Sequence, residues 1–213
     1  FLLFALPSSF YLILQERKVA LKLLFGAGML LFLCAFILSF SRAAFFGLII
    51  ATLLEMFLFG KFSKTIFFFL VAVIVLCVAV EPIRNNFFGS LNLADITIGK
   101  RLDYWSITWS MIKAHPILGN GINMYHTLFP QFAPPTETYQ GYAHNCYLQM
   151  WAEIGLLGLL SFLVIIKNVL FKCQKAIKTA APNEKVFLAV LRISLTAYFI
   201  QSFFDTNFYS LQT

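Results

Sequence analysis

The sequence predicts an all-α protein, a polytopic bundle of transmembrane helices, from three observations. Of its 213 residues, 60% are hydrophobic and only 12% are charged. The mean hydropathy is +0.82, and the 26 Phe are spread over several long apolar runs. Basic residues cluster in the connections between those runs. A soluble domain of this length could not hide so much apolar surface, so we expect an integral membrane protein.

The length of each apolar run predicts the membrane spans. A helix needs about 19 residues to cross ~30 Å of hydrocarbon. The chain starts inside an apolar run, so we expect its first span to be truncated. Residues 1–213 would then be a single integral-membrane domain taken from a longer chain. We predict the truncated span at 1–14 and about five full spans at 21–40, 43–59, 65–80, 146–166 and 186–204.

Charge predicts the orientation of these spans. Three connections are basic, and basic connections favour the cytoplasmic side of a membrane. The other connections, including the long loop 81–143, then lie on the extracytoplasmic side. The net charge of +7 is therefore mainly a topology signal; a nucleic-acid surface is the alternative, and we expect no nucleic-acid partner. The basic connections carry Arg17, Lys18 and Lys22, then Lys61 and Lys64, then Lys167, Lys172, Lys175, Lys178 and Lys185.

The extracytoplasmic loop 81–143 is too long to be a simple connection. Residues 101–114 are predicted to form an amphipathic helix on the membrane surface, because two Trp on its apolar stripe favour the headgroup layer. Pro116 ends this helix, and three prolines make the following segment irregular. The loop would form a lid over a cavity; an ordinary solvent loop is the alternative. The stripe is Leu102, Trp105, Trp109 and Ile112, and the prolines are Pro130, Pro134 and Pro135.

Polar residues from distant parts of the chain are predicted to meet at the outer interface. Arg42 lies at an outer turn, Arg101 begins the surface helix, His144 ends the loop, and Asp205 follows the last span. Two guanidinium groups at one level can bind a diphosphate through paired hydrogen bonds. Each residue also has a structural explanation: Arg42 as a snorkelling side chain, Arg101 as an interfacial anchor, and Asn145 as a helix N-cap beside an incidental His144.

Other polar residues within the spans are predicted to be structural. Glu55 and Arg192 lie at a similar depth and are expected to form a pair, since an unpartnered charge there is costly. Glu153, two turns below His144, could stabilise packing or form the floor of the cavity. The four cysteines have no paired spacing and are expected to be small apolar side chains, with no metal site.

The order of these motifs resembles the O-antigen ligase and polymerase superfamily. The pairing of P-x-x-G-x-G at 116–121 with H-N-x-Y-x-x-x-x-x-E-x-G at 144–155 carries most of the resemblance. Ser41-Arg42, Arg101 before Tyr104-Trp105, and Asp205 after the last span add to it. The similarity covers nearly the whole chain, from about residue 21 to residue 205.

The resemblance implies a multi-pass glycosyltransferase of the bacterial inner membrane, with its active site on the periplasmic face. The donor would be a glycan on undecaprenyl diphosphate, and the acceptor a lipid, a growing glycan or a protein. His144 would be the general base, and Arg42 and Arg101 would bind the diphosphate. Asn145 and Asp205 are assigned to the same substrate-binding site. The implied reaction inverts the anomeric carbon and uses no metal or other cofactor.

Two other functions remain open from the residues alone. A transporter or flippase would use the same cations as a binding site on an alternating pathway, but should show broken helices and polar residues near the bilayer midplane. A purely structural membrane subunit would tolerate replacement of Arg42, Arg101 and His144. The polar residues cluster at one interface, which favours chemistry on a lipid headgroup.

Overall fold

The computed structural model describes residues 2–39, 41–59, 96–135 and 142–206, together with six isolated positions between 71 and 85. The described residues contain helices and no strand, which confirms the all-α prediction. The helices are α1 (Leu2–Gln15), α2 (Val19–Leu38), α3 (Arg42–Phe59), α4 (Ile96–Ala114), α5 (Tyr125–Phe132), α6 (Cys146–Thr179) and α7 (Pro182–Gln201).

The chain divides into two compact units, of which the first comprises residues 1–91 and 169–200. The short connection after α1 lets α1 pack against α2, and the Glu16 carboxylate accepts the N–H groups of Arg17 and Lys18, both at 2.8 Å. Aromatic rings of α1 also contact aromatic rings of α7. The shared apolar core of this unit includes Leu3, Leu6, Phe36, Ala44, Phe45, Leu48, Ala51, Ile193 and Ala197.

Two helices are long and apolar enough to cross a membrane among the described residues. In α2 and α6 the most apolar windows have mean hydropathies of 2.4 and 2.3, with only 6% and 11% of their residues buried. The core helix of a soluble protein would be mostly buried, so these exposed apolar surfaces are suited to lipid. Residues 2–15 and 42–54 form shorter apolar helices. The predicted bundle of about five spans is thus supported in part, and the predicted span 65–80 falls almost entirely outside the described residues.

The predicted continuous span 146–166 is wrong in one respect. Helix α6 is interrupted at Gly155, where φ is 71° and ψ is −177°, and it then continues to Thr179. The sequence pattern did not indicate the interruption because the residues around Gly155 remain apolar. Of the lysines expected beyond the span, Lys167, Lys172, Lys175 and Lys178 lie within the same helix, and Lys185 lies in α7.

The second unit comprises residues 92–168 and 201–213, and α4 is its first helix. It begins at Ile96 and ends at Ala114, so the predicted end is right and the predicted start is five residues late. Its buried face differs from the expected stripe, since Leu102 and Trp109 are exposed. The buried face instead consists of Tyr104, Ile107, Thr108, Met111 and Ile112.

The segment expected to be irregular contains α5. Tyr125 and Phe129 of this helix are buried against α4, and the apolar contact maintains the helix although Pro130 lies inside it. Proline cannot donate a hydrogen bond to the preceding turn, and the helix ends two residues later at Phe132. The predicted irregularity is therefore wrong around Pro130, which lies in a short helix, whereas residues 133–135 lie outside any helix and Ala133 is extended.

The predicted Glu55–Arg192 pair stays a prediction. Arg192 is buried in α7, but the Glu55 side chain lies outside the described residues.

Candidate functional site

The two sequence motifs meet at the break in α6. Residues 116–121 run beside it, and the N–H groups of Asn120 and Gly121 donate to the carbonyl oxygens of Ala152 and Glu153, both at 2.9 Å. On the C-terminal side of the break, the Leu156 N–H donates to the Pro116 carbonyl at 3.0 Å. The break would otherwise leave these polar backbone groups without helical partners. The P-x-x-G-x-G segment therefore replaces the hydrogen bonds that α6 loses.

Glycine is required on both sides of this contact. Gly119 has φ 76° and Gly155 has φ 71°, a region that other residues rarely adopt. A Cβ on Gly119 would overlap the backbone carbonyl of Glu153, and a Cβ on Gly155 would overlap that of Ile117. The spacing of the two motifs thus reflects a close approach of two backbones.

Side chains fix the same contact. The Asn120 amide donates to the Met111 carbonyl at 3.0 Å and to the Ala152 carbonyl at 2.8 Å. The Trp151 indole N–H donates to the Pro116 carbonyl at 2.9 Å. Helix α4, residues 116–121 and the first part of α6 are therefore joined by hydrogen bonds as well as by apolar packing.

Glu153 has a structural role in this unit. Its side chain is buried and accepts the N–H groups of Asn123 at 3.1 Å and Tyr125 at 3.3 Å, at the start of α5. The Gln149 amide reaches the same carboxylate at 3.5 Å. A carboxylate at a helix N-terminus satisfies N–H groups that lack helical partners. Glu153 therefore fastens α5 to α6.

His144 immediately precedes the cap of α6 and has a left-handed backbone, with φ 51°. The Ala143 N–H before it donates to the Gln149 side chain at 3.2 Å. After it, the buried Asn145 side chain accepts the N–H groups of Tyr147 at 3.0 Å and Leu148 at 3.1 Å. Asn145 is thus the N-cap of α6, as the structural explanation of this residue predicted. Its assignment to substrate binding stays a prediction. The two flanking interactions hold His144 at the start of the helix.

Asp205 lies beside His144, with 3.9 Å between Asp205 Oδ1 and His144 Nδ1. The Cys146 N–H donates to the Ser202 carbonyl at 2.9 Å, and the Cys146 thiol donates to the Asp205 carbonyl at 3.2 Å. These bonds tie the turn after α7 to the start of α6. The side chains of His144 and Asp205 are 28% and 43% exposed, so both can be reached from outside.

Electrostatics place Arg101 in the same region. The His144 side chain is the largest influence that holds the pKa of Asp205 below its usual 3.8. The Thr206 N–H, which donates to Asp205 Oδ1 at 2.8 Å, and the charge of Arg101 also lower this pKa, whereas burial raises it. Tyr104, one turn after Arg101, stacks on the His144 ring with centroids 6.0 Å apart. Two predicted site residues, His144 and Asp205, therefore come together, and α4, which carries Arg101, contacts His144 through Tyr104.

Arg42 belongs to the first unit. It is the first residue of α3, and Ser41 before it accepts the Ala44 N–H through its side chain at 3.4 Å. The predicted turn between two apolar helices is confirmed at this position. The predicted proximity of Arg42 to His144 remains a prediction.

The second unit contains a cavity of about 530 Å³. Asn123, Tyr125, His126 and Thr127 line it from α5 and the turn before that helix. Tyr142, Gln149 and Glu153 form the rest of its lining. Glu153 both lines this cavity and anchors α5, and the role of the loop as a lid stays a prediction.

Comparison with known proteins identifies the family. Residues 27–163, more than half of the chain, match the family described as O-antigen ligase. The chain belongs to the O-antigen ligase family. An uncharacterised protein of Haemophilus influenzae is 27% identical to it, over 67% of this chain and 41% of that relative. The chain thus spans less than half the length of this relative. No solved structure matches the chain.

Family membership confirms the resemblance and explains the exposed apolar helices. An O-antigen ligase family member with apolar helices such as α2 and α6 is an integral membrane protein of the glycan ligase and polymerase class. The matched region includes Arg42, Arg101, His144 and Asn145, as well as the break at Gly155. Asp205 lies beyond it, so the structure adds this residue independently of the family match.

Sequence reasoning missed Gln149 in this O-antigen ligase family chain, although a signal was present. Asn145, Gln149 and Glu153 recur every four residues in an otherwise apolar segment, so they share one helical face. Asn123, His126 and Thr127 carried no comparable signal. Among the described residues, no three His, Cys, Asp or Glu side chains could hold a metal ion, and Cys34, Cys146 and Cys173 form no disulfide with one another.

Proposed function

We propose that this protein transfers a glycan from undecaprenyl diphosphate to an acceptor hydroxyl on the outer face of the bacterial cytoplasmic membrane. The observation that carries this proposal is the grouping of His144 with Asp205 and Arg101 at an accessible surface of an O-antigen ligase family chain. A base beside a cation is the arrangement needed to activate a hydroxyl next to an anionic leaving group.

His144 acts as the general base. Its Nδ1 faces Asp205, so the neutral imidazole takes the acceptor proton at Nε2. The carboxylate orients the ring and stabilises the imidazolium that forms. The acceptor oxygen attacks the anomeric carbon as the bond from that carbon to the diphosphate oxygen breaks. Attack opposite the leaving group inverts the anomeric centre, and general-base help of this kind is worth ~10² to 10⁴ in rate.

Arg101 stabilises the negative charge that develops on the departing diphosphate. A guanidinium group can donate two parallel hydrogen bonds to phosphate oxygens. In the proposed complex, Arg42 supplies the second guanidinium from the first residue of α3, where the positive end of the helix dipole adds to its charge. Together the two arginines supply the charge stabilisation, so the proposed reaction is independent of a metal.

The transporter or flippase is the second candidate, because α6 is broken at Gly155. Transporters use the unpaired backbone groups of broken helices to bind ions and substrates. Here the backbone of residues 116–121 already bonds to residues on both sides of the break. Because the protein's own backbone occupies the break, these groups are not available to a transported substrate. This favours the transferase over the transporter.

The test uses the full-length protein in nanodiscs with an undecaprenyl-diphosphate glycan, in the presence of a chelator. Lipid, glycan and protein acceptors are supplied separately, and transfer is measured as release of the lipid diphosphate with formation of the glycosidic bond. The variants are His144→Asn, which tolerates the left-handed backbone, and Arg101→Ala. We expect both to lower kcat/KM about a hundredfold or more.

His115→Ala and Lys100→Ala are the matched controls, because both residues are exposed on or next to α4. Both controls should transfer at the wild-type rate. Full transfer by His144→Asn would remove the proposed base. Movement of the lipid across the membrane without a new glycosidic bond would make the transporter the better explanation.

A further inference from the structure

We propose that the cavity beside α5 binds a neutral sugar unit of one of the two glycosyl substrates, at a site separate from the diphosphate. This proposal rests on the proposed transferase function, because it assigns the cavity to a substrate of that reaction. The volume of about 530 Å³ falls within the usual ~300–1,000 Å³ of small-molecule sites.

The lining matches the chemistry of a sugar. The amide of Asn123 and the hydroxyl of Thr127 line the cavity at exposed positions, and such groups both donate to and accept from sugar hydroxyls. Tyr142, which is half-buried, adds a phenol ring, with an apolar face for the C–H surface of a sugar ring and a polar edge. The cavity therefore offers both kinds of contact that a polyhydroxylated ring requires.

The lining offers a diphosphate few partners. Glu153 and His126 are its titratable residues besides the tyrosines, and none of the lining residues is Lys or Arg. A diphosphate in this cavity would therefore lack the guanidinium and ammonium groups that bind phosphate oxygens most strongly. Arg101, in contrast, acts on Asp205 beside His144. We infer that the leaving group binds near Arg101, and that the cavity, whose lining has no Lys or Arg, is suited to sugar hydroxyls.

A short stretch of chain joins the cavity lining to the base. Tyr142 lines the cavity and stands two residues before His144, a separation of at most ~7 Å along the backbone. Gln149 also lines the cavity, and its side chain holds the Ala143 N–H at 3.2 Å. A glycan seated in the cavity can therefore present a neighbouring atom to His144.

Thr127→Trp tests the site by filling it. Thr127 is an exposed residue of α5, so a larger side chain is expected to block the cavity without disturbing the buried face. Gln131→Trp is the matched control, because Gln131 is exposed one turn later on the same helix and does not line the cavity. The probe is the phosphate-free oligosaccharide released by mild acid from the native lipid carrier, with binding to full-length protein in nanodiscs measured by saturation-transfer NMR.

Thr127→Trp should weaken binding of this oligosaccharide at least tenfold, while Gln131→Trp binds as the wild type does. Excess inorganic diphosphate should not displace the oligosaccharide. Equal affinities for wild type and Thr127→Trp, or equal losses in the two Trp variants, would overturn the proposal. Displacement by diphosphate would overturn the separation of the two sites.

Steady-state kinetics identify which substrate supplies the sugar. If the donor glycan occupies the cavity, Thr127→Trp raises the KM for the lipid-linked donor about tenfold and leaves the acceptor KM unchanged; the reverse result assigns the cavity to the acceptor. Unchanged KM values for both would overturn the proposal. If the wild type transfers no glycan at all, the proposed function fails, and the binding measurement still decides whether the cavity holds a sugar.

Discussion

The contact between His144 and Asp205 is the residue-scale feature on which the proposed chemistry depends. The pKa of Asp205 is lowered chiefly by the His144 side chain, so the carboxylate stays ionised at neutral pH. An ionised partner at Nδ1 favours the imidazolium that a general base becomes. In the proposed reaction, Asp205 is therefore a positioning residue that acts through His144.

Asp205→Asn should lower thermal stability in a pH-dependent way. Because the pKa of Asp205 in the folded protein lies below 3.8, the stabilisation from its carboxylate is complete above about pH 4 and is lost as the pH falls through that folded pKa. The pair is partly exposed, so it contributes less than about 1 kcal/mol. We expect a Tm about 1–3 °C below wild type at pH 7, measured on the full-length protein in detergent.

The same difference in Tm should shrink as the pH is lowered below about 4, because the wild-type carboxylate is then increasingly neutral. Asp103→Asn serves as the control, since Asp103 is exposed on α4. A Tm deficit of Asp205→Asn that persisted unchanged to the lowest pH tested would contradict the electrostatic explanation.

At the scale of elements, the broken helix α6 organises the second unit. Residues 116–121 occupy the break, Asn120 bonds to α4 and α6, and Glu153 bonds to the start of α5. Each of these interactions joins segments that are distant in sequence. The elements that carry Arg101 and His144 are therefore held by the same set of hydrogen bonds.

Gly155→Ala should strongly destabilise this arrangement. The backbone at Gly155, with φ 71° and ψ −177°, is in a region that only glycine adopts readily, and a Cβ would overlap the Ile117 carbonyl. We expect a loss of about 3 kcal/mol or more, seen as a Tm lowered by more than about 6 °C.

Gly99→Ala is the matched control for this substitution. Gly99 lies in α4, and a Cβ there would meet no atom within 4 Å. Alanine is favoured over glycine in a helix by up to about 1 kcal/mol, so the Tm should stay the same or rise slightly. A Gly155→Ala protein as stable as Gly99→Ala would show that the break in α6 is not needed.

At the scale of the whole molecule, the exposed apolar surfaces of α2 and α6 and the family match define an integral membrane protein. The distribution of lysines predicts which ends of the helices face the cytoplasm. Under that prediction, the turn at Ser41 and the end of α4 face outward, and the lysines near the end of α6 face inward.

Cysteine labelling in intact bacterial cells tests this orientation. In full-length protein without its native cysteines, Ser41→Cys and His115→Cys should react with a membrane-impermeant maleimide. Lys178→Cys, at an exposed position near the end of α6, should react only after the membrane is permeabilised. Labelling of Lys178→Cys in intact cells would reverse the predicted orientation and place the end of α6 on the outer side.

Several features of this protein were predictable from the sequence because they depend on local patterns. The apolar length of α2 predicted a possible span, and Pro116 predicted the end of α4 at Ala114. The proximity of His144 and Asp205 was also predicted, because alternating spans bring loop residues to one face. Helical periodicity was less reliable on α4, since Trp and Leu residues suit both a core and a lipid surface.

The sequence by itself determined the helical class, the apolar helices, the motifs of the O-antigen ligase family and the candidate base. The tertiary structure decided that Gly155 interrupts α6, that residues 116–121 fill the break, that α5 is helical around Pro130, and that Gln149 joins the cavity to the segment before His144. The physical reason is that hydrophobic periodicity is a local property. Backbone hydrogen bonds between segments some 30 residues apart depend on their packing and leave no periodic pattern in the sequence.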